Sequence, residues 1–428
     1  MGRGRRICGA HPALVAAATL ALGGCLSAPE GPSGGRDGGT NRRDGGGGSD
    51  GGGDGTLVLT GVAGRDFVNA DQQDDLVLIG TRDGKPRAIV LLGSDSTPEA
   101  LQVAREIALP SMPKQVVLAP WSAATGAALL LDEDGAIFVF DARLDGVTPL
   151  VLERPTGYSD LPTSAMTLVQ FGASHRLLIS DDDRLWITDA LGGAEPPGDM
   201  PLPIEPLHNS GEVFLLESHN YTNRTFVGLV HGPSLGIDVF EAADGTPPAL
   251  MEMAVEQSTP SSLERPLWQS LGGPYLHLIG IVPSGPELYV HTTPVNGEPP
   301  SATSALEGVY DAIHDLLITR VAGDKTDLVV LGTVDGKLVV HVYGDPASGL
   351  VLGTPASWSP PADSGFRGPG WLQAMECVGT EPGVNEIVLY DADGHLFCLR
   401  VDAEDKELKI RDVGSIDLGA ADLGAAGG

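Results

Sequence analysis

Residues 326–344, TDLVVLGTVDGKLVVHVYG, contain two apolar runs on either side of Asp335-Gly336. Asp-Gly between alternating runs is a strong hairpin signal, because a type I′ turn needs a positive φ at both central residues. The stretch therefore predicts two antiparallel strands joined by a short turn.

Six other stretches have the same form and follow one another at a near-constant interval. Their turns are predicted at Asp83-Gly84, Asp134-Gly135, near Asp182-Asp183, near Gly232 to Ser234, at Ser284-Gly285 and at Asp393-Gly394. The interval is about 50 residues and lengthens to about 58 before the last turn. Seven hairpins at such an interval indicate a repeated module.

Each interval has room for two further strands, such as TSAMTLVQFG (163–172) before the third hairpin. Four strands per ~50 residues, repeated, are typical of a β-propeller. The 59 Gly and 33 Pro, with only 5% aromatic residues and no long helical period, also favour an all-β protein rich in turns. The sequence predicts an all-β, seven-bladed β-propeller with four-stranded antiparallel blades over residues 56–418, followed by a disordered tail at 419–428.

Ring closure is predicted to use both ends of this body. TLVLTGV (56–62) reads as an initial strand and ELKIRDVGSIDL (407–418) as a final outer strand. If the two share one blade, hydrogen bonds between them remove two exposed sheet edges.

The first 24 residues have the form of a cleaved signal peptide. Arg3, Arg5 and Arg6 precede an apolar run from Ala13 to Leu22, which is too short to span ~30 Å of hydrocarbon as a helix. Residues 25–55 are rich in Gly, Asp and Ser, so they predict a flexible linker with a typical reach of about 30 Å.

The segment Leu22-Gly23-Gly24-Cys25 resembles the lipobox of bacterial lipoproteins. The resemblance implies cleavage before Cys25, lipidation of Cys25 and a membrane anchor. Leu26, rather than Asp, follows the cysteine, which favours the outer membrane, on its periplasmic face or at the cell surface. An ordinary secretory signal with a chance cysteine is the alternative.

Charge narrows the range of partners. The formal net charge is −31, and loss of the three signal arginines makes it about −34. Such a surface repels nucleic acid and anionic headgroups, so no nucleic-acid partner is expected. The body is expected to be a monomer.

The stretch GRDFVNADQQDDLVLIGTRDGKPRAIVLLG (64–93) resembles an FG-GAP or VCBS repeat. The resemblance implies a propeller blade whose loop can bind calcium through alternating Asp and Asn oxygens. Asn69, Asp71 and Asp75 match ligand positions, while Gln72 stands where the family has Gly. Calcium in the first blade is thus one hypothesis, and a solvated loop without a cofactor is the alternative.

DGAIFVFDARLDG (134–146) and DGHLFCLRVD (393–402) resemble quinoprotein-like propellers, including outer-membrane assembly lipoproteins. That resemblance implies an assembly scaffold as a second function. The five tryptophans stand at differing offsets in the repeats, which departs from the family's docking girdle.

No catalytic residues are predicted. The chain has no Gly-x-Ser-x-Gly turn in a strand-to-helix context, and its ten His are scattered without metal-ligand spacing. Most of the His are expected to be half-exposed, and Asp181 to Asp183 to form a solvated turn. An enzyme with a pocket on the propeller axis is the remaining catalytic hypothesis.

Cys377 and Cys398 are the two cysteines left after signal cleavage and lipidation. An oxidising compartment would let them pair as a disulfide. If Cys398 lies two strands outward from Cys377, the separation of ~9.5 Å exceeds the ~7 Å limit for a bridge. Both alternatives stay open.

The sequence therefore predicts a membrane-anchored, non-catalytic binding or scaffolding module for a protein or glycan partner. The Pro- and Gly-rich segments from Pro196 to Glu205 and from Thr354 to Gly370 are candidate contact surfaces.

Overall fold

The computed structural model describes part of residues 57–418. The residues outside the description in this range are 66–74, 83, 93–101, 120–126, 142–145, 154–161, 173, 182–183, 190–201, 210–212, 222, 232–235, 244–247, 258–262, 272–273, 297, 324, 345, 347–351, 367, 369, 376–383 and 405–406. Among the described residues, no helix has the length and apolar character needed to cross a membrane.

The strands form seven sheets of four consecutive antiparallel strands, the blades of a propeller. The first blade consists of β1 (Leu57–Arg65), β2 (Asp75–Arg82), β3 (Lys85–Leu92) and β4 (Gln102–Ala108). The second consists of β5 (Pro113–Ala119), β6 (Ala127–Asp132), β7 (Ile137–Asp141) and β8 (Gly146–Pro149). After the short β9 (Leu152–Glu153), the third consists of β10 (Ala165–Phe171), β11 (Ser174–Ser180), β12 (Arg184–Thr188) and β13 (Leu202–Asn209). β9 pairs in parallel with the outer edge of β13.

The remaining blades follow in chain order. The fourth consists of β14 (Val213–Tyr221), β15 (Arg224–His231), β16 (Gly236–Ala243) and β17 (Ala249–Gln257). The fifth consists of β18 (Glu264–Gln269), β19 (Tyr275–Ile281), β20 (Leu288–Pro294) and β21 (Ser301–Ala305). The sixth consists of β22 (Ala312–Thr319), β23 (Asp327–Val334), β24 (Lys337–Tyr343) and β25 (Ala356–Trp358). The seventh consists of β26 (Gly370–Met375), β27 (Glu386–Asp391), β28 (His395–Glu404) and β29 (Glu407–Asp417).

The seven predicted hairpins are the connections between the second and third strands of the blades. In the sixth blade, Val334 pairs with Lys337 across the turn, and Asp335 and Gly336 have φ values of 50° and 70°. Both values are positive, as a type I′ turn requires. The seven-bladed, all-β architecture predicted from the hairpin interval is therefore confirmed.

Both faces of each blade are buried, which explains why the central strands are continuous apolar runs. Seven apolar clusters lie between neighbouring blades, one at each interface of the ring. Side chains alternate between two interfaces: Leu76 and Leu78 pack towards the seventh blade, whereas Val77 and Ile79 pack towards the second. Alternate residues of a strand point to opposite sides, so each strand supplies both cores.

The predicted hydrogen-bonded closure is wrong. β1 pairs with β2 inside the first blade, and β29 pairs with β28 inside the seventh. The ring closes instead through an apolar cluster in which Leu76 and Leu91 of the first blade meet Tyr390 and Leu418 of the seventh. Each terminal blade already has its own four strands, so neither has a place for a strand from the other.

The ring has two distinct faces. The hairpin face carries the seven second-to-third-strand turns, and the loop face is the opposite end. Leu57 pairs with Arg82 beside the first turn, and Asp417 pairs with His395 beside the last. Both ends of the propeller therefore leave the ring on the hairpin face.

Candidate functional site

The first strand of each blade is its innermost strand and contacts the first strands of the neighbouring blades. Polar side chains on these innermost strands join neighbouring blades. The Gln115 side chain donates to the Met166 carbonyl at 2.8 Å and accepts from the Met166 N–H at 2.9 Å. The Glu217 carboxylate accepts from the Trp268 N–H at 2.7 Å. The innermost strand of a blade has one free edge, whose backbone groups need partners. These side chains supply them from the blade before.

Asp315 continues this arrangement, because it accepts from the Leu372 N–H of the following blade at 2.8 Å. The hydroxyl of Ser218 makes the reverse contact and donates to the Leu168 carbonyl of the preceding blade. Burial raises the pKa of Asp315, while the nearby Arg265 opposes that rise. Four polar side chains of the first strands, those of Gln115, Glu217, Ser218 and Asp315, thus join neighbouring blades.

Buried aspartates at the end of second strands hold the hairpins of the second, third and seventh blades. Asp132 accepts from the Ala136 N–H at 2.8 Å, and Asp391 accepts from the His395 N–H at 2.9 Å. Asp181 accepts from the Arg184 N–H at 3.1 Å and from the Trp186 indole. The predicted solvated turn is wrong for Asp181, which is buried, whereas Asp182 and Asp183 lie outside the described residues.

Two histidines of the fifth blade are buried, so the expectation of half-exposed histidines is wrong for His277 and His291. His277 Nδ1 accepts from the Leu271 N–H at 3.3 Å. Burial is the main cause that lowers the pKa of His277 to about 4, and nearby His219 and His291 make smaller contributions to that lowering. Burial also lowers the pKa of His219 to about 4. His219 and His277 are therefore neutral at neutral pH, and His277 and His291 form part of the packed interior.

A hydroxyl network lies between the fifth and sixth blades. Tyr310 Oη lies 2.7 Å from His341 Nδ1 and 2.9 Å from Tyr343 Oη. Burial raises the pKa of Tyr310 and of Tyr343, so both hydroxyls keep their protons at neutral pH. A deprotonated tyrosine acting as a base is not available here at neutral pH.

The predicted calcium ligands Asn69 and Asp71 lie outside the described residues, and Asp75 is described only as the first residue of β2. The acids at the same place in the sixth and seventh blades are engaged with protein groups. Asp327 accepts from the N–H groups of Val321 and Ala322, and Glu386 pairs with Arg400. Within the described part of the chain, no group of three His, Cys, Asp or Glu side chains is arranged to hold a metal ion. Calcium in the first blade stays a prediction.

The predicted site residues that remain are the cysteines. Cys25 and Cys377 lie outside the described residues, so lipidation and the disulfide also stay predictions. Cys398 is buried on β28, the third strand of its blade, and burial raises the pKa of its thiol.

The two predicted contact segments are only partly loops. Glu205 belongs to the outer strand β13, and residues 196–201 lie outside the description. Ala356–Trp358 forms β25, the outer strand of the sixth blade. The described residues between β25 and β26 form a loop on the hairpin face.

Residues 359–366 of that loop, called here the anchored loop, are held by local contacts. Ser364 donates to the Pro361 carbonyl through its N–H at 3.0 Å and through its hydroxyl at 2.7 Å. The ring of Phe366 packs against that of Phe397, with 5.8 Å between centroids. Pro361, Ala362 and Asp363 remain exposed, so the loop presents a fixed surface.

A cleft of about 720 Å³ opens on the loop face between the sixth blade and the β28–β29 hairpin. Its lining includes Gly344, Ala356 and Leu408, with the polar groups of Lys325 and Glu407 at its sides. Asp327, also in the lining, is held by the two backbone N–H groups described above.

Comparison with known proteins shows the fold and no family. No protein-family model matches the chain, and a search of curated proteins finds no relative. BBS1N, solved in complex with ARL6DN, is 13% identical over 86% of this chain and 99% of its own, with a TM-score of 0.50. The Cps50 (Swd1) β-propeller domain of Myceliophteria thermophila is 10% identical over 84% of this chain and 97% of its own, with a TM-score of 0.44. KlAtg21, solved with the coiled-coil of AgAtg16, is 10% identical over 84% of this chain and 99% of its own, with a TM-score of 0.46.

Proposed function

We propose that this chain is a non-catalytic binding propeller, tethered to a bacterial membrane through lipidated Cys25, that contacts a protein partner with its hairpin face. The anchored loop is the observation that carries the proposal. A loop already fixed in shape loses little conformational entropy on binding, so its exposed residues can contribute fully to affinity. The use of inner-strand polar groups in contacts between blades also supports binding over catalysis.

Charge favours a basic surface on the partner. Glu133, Asp134, Asp335, Asp363 and Asp393 are all exposed on the hairpin face. Complementary charge speeds encounter and fixes orientation more than it adds affinity. The association should therefore weaken as ionic strength rises.

The tether favours a partner at the membrane. The predicted linker, residues 25–55, leads into β1, which begins at Leu57 on the hairpin face. A linker with a reach of about 30 Å keeps that face closer to the lipid than the loop face. We therefore place the partner among membrane-associated proteins. An outer-membrane assembly scaffold, which the quinoprotein-like resemblance implies, is the alternative form of this function.

Two measurements test the proposal. Cys25→Ser should move the protein from the membrane fraction to the soluble fraction and abolish labelling by a palmitate analogue. Asp363→Lys should lower partner recovery after cross-linking on intact cells, whereas Glu407→Lys, an exposed acid on the loop face, should leave it unchanged. Equal recovery with the two charge reversals would exclude the hairpin face, and unchanged fractionation of Cys25→Ser would exclude the tether.

A further inference from the structure

Arg265 has an unfavourable backbone conformation near the hairpin-face end of β18. Its φ is 50°, in the left-handed region that residues other than glycine rarely adopt. It also precedes Pro266, and the residue before a proline is normally extended. The pairing of β18 with β19 shifts register between Glu264 and Leu267. Such costly conformations cluster at ligand-binding sites.

The contact of Arg265 with Asp315 indicates that its side chain extends towards the ring axis, where the blades of a propeller surround a central channel. Its Nε atom lies 4.0 Å from Asp315 Oδ1 on β22. The other oxygen of Asp315 accepts from Leu372 of the seventh blade, so this carboxylate lies on the seventh-blade side of β22. Arg265 comes from the fifth blade and must pass the free inner edge of β22 to approach it. That edge faces the axis.

The guanidinium of Arg265 has N–H donors that are left for a ligand. Its Nε side is turned to Asp315, which is its one charged partner among the described residues, and the side chain is 31% exposed. An Arg has five N–H donors in a planar fork, and the two outer nitrogens match both oxygens of a carboxylate.

Lys114 shows the contrasting arrangement. Among the described side chains of the innermost strands, Lys114 is the one Lys or Arg besides Arg265. Its Nζ donates to the Thr163 carbonyl of the next blade at 3.2 Å. Its ammonium therefore serves the joining of blades, as the neighbouring Gln115 does. Among the described residues, no backbone carbonyl accepts a hydrogen bond from the side chain of Arg265 in this way.

We propose that Arg265 forms a carboxylate-binding site in the channel mouth on the hairpin face. The ligand is a small organic acid or the C-terminal carboxylate of a peptide, which share this chemistry. The exposed acids Asp335 and Asp393 on the same face repel ligands with many negative charges, so a single carboxylate is favoured. The site goes beyond the proposed function, because it requires neither the tether nor the partner.

Titration of the purified full-length protein, followed by nuclear magnetic resonance of the arginine side chains, tests the site. The probes are acetate, N-acetyl-diglycine with a free carboxylate, and the same peptide as its C-terminal amide. Acetate and the free-acid peptide should bind saturably, and the amide should not. Tenfold tighter binding of the peptide than of acetate would identify a chain terminus, and equal binding a small acid.

Two variants and a control make the test specific. Arg265→Gln should weaken carboxylate binding by roughly tenfold or more, the loss expected for charge-assisted hydrogen bonds. Arg411→Gln, which alters an exposed arginine paired with Asp402, should leave it unchanged. Arg265→Gly should also abolish binding, because it removes the guanidinium at a position whose positive φ glycine tolerates. Unchanged binding in either Arg265 variant, or equal binding of acid and amide, would overturn the proposal.

Discussion

The carboxylate of Asp315 on β22 accepts a hydrogen bond of 2.8 Å from the backbone N–H of Leu372 on β26. Gln115 and Met166 make the equivalent contact between the second and third blades, and Glu217 and Trp268 make it between the fourth and fifth. In each case a side chain on one innermost strand satisfies the free edge of the next. This recurrence shows that polar residues near the axis are part of the ring's construction.

Removal of the Asp315 acceptor should destabilise the protein. Asp315→Leu leaves the buried Leu372 N–H without a partner, which should cost about 1 to 3 kcal/mol of unfolding free energy. Asp315→Asn keeps an acceptor oxygen and should cost clearly less. Urea denaturation of both variants provides the comparison, and equal losses would contradict this role for the carboxylate.

Packing of Trp268 against Gly228 should forbid a larger residue at that glycine. A Cβ at Gly228 would lie 2.4 Å from the Trp268 ring, so Gly228→Ala should cost about 1 to 3 kcal/mol. Trp268→Leu in the same chain should recover part of this loss, as a double-mutant cycle would measure. Gly353→Ala, where a Cβ meets nothing within 4 Å, serves as the control and should change stability by less than about 0.5 kcal/mol.

Closure of the ring by packing predicts that a first-blade substitution affects the whole propeller. Leu91 is fully buried in the cluster shared with Leu418, so Leu91→Ala should cost about 2 to 5 kcal/mol. Unfolding should remain a single transition when followed by hydrogen exchange in every blade. Early exchange confined to the first blade would show that this blade is not required for closure.

Acid should destabilise the fold partly through His277. Burial lowers its pKa to about 4 in the folded state, whereas an unfolded histidine titrates near 6.5. The group's contribution to stability is complete above pH 6.5 and is lost as the pH falls towards 4. Its loss amounts to about 3 kcal/mol over that range. His277→Gln should therefore show a shallower fall in unfolding free energy from pH 7 to pH 4 than the unsubstituted protein. The effect of the substitution on packing alone is measured at pH 8, where the histidine is neutral in the folded and unfolded states. Parallel curves would contradict the assignment.

The hairpin positions and the number of blades could be predicted because the turns depend on local chemistry. Asp335 and Gly336 reach the positive φ values of their turn through their own local preferences, and the interval between such turns sets the size of a blade. Ring closure could not be predicted, because a terminal strand has the same apolar pattern whether it pairs within its own blade or with another. Whether β29 pairs with β28 or with a strand of the first blade depends on whether the first blade already has four strands of its own. That is a property of the whole ring.

Buried polar residues were the other source of error. Asp181 and His277 belong to types that are usually exposed, and their neighbours in sequence do not reveal what lies on the adjacent strand. One signal was present: an Asp four residues before the start of the third strand recurs at Asp132 and Asp391, whose carboxylates accept from Ala136, just before β7, and from His395, the first residue of β28. That spacing lets the carboxylate accept the N–H that opens the next strand.

Photo-cross-linking on intact cells tests the central claim most directly. A photoreactive residue would replace Asp363 on the hairpin face in one protein and Thr354 on the loop face in another; both positions are exposed. The account predicts one discrete cross-linked protein from position 363, lost at high ionic strength, and none from position 354. A cross-link from position 354 alone, or none from either position, would contradict it.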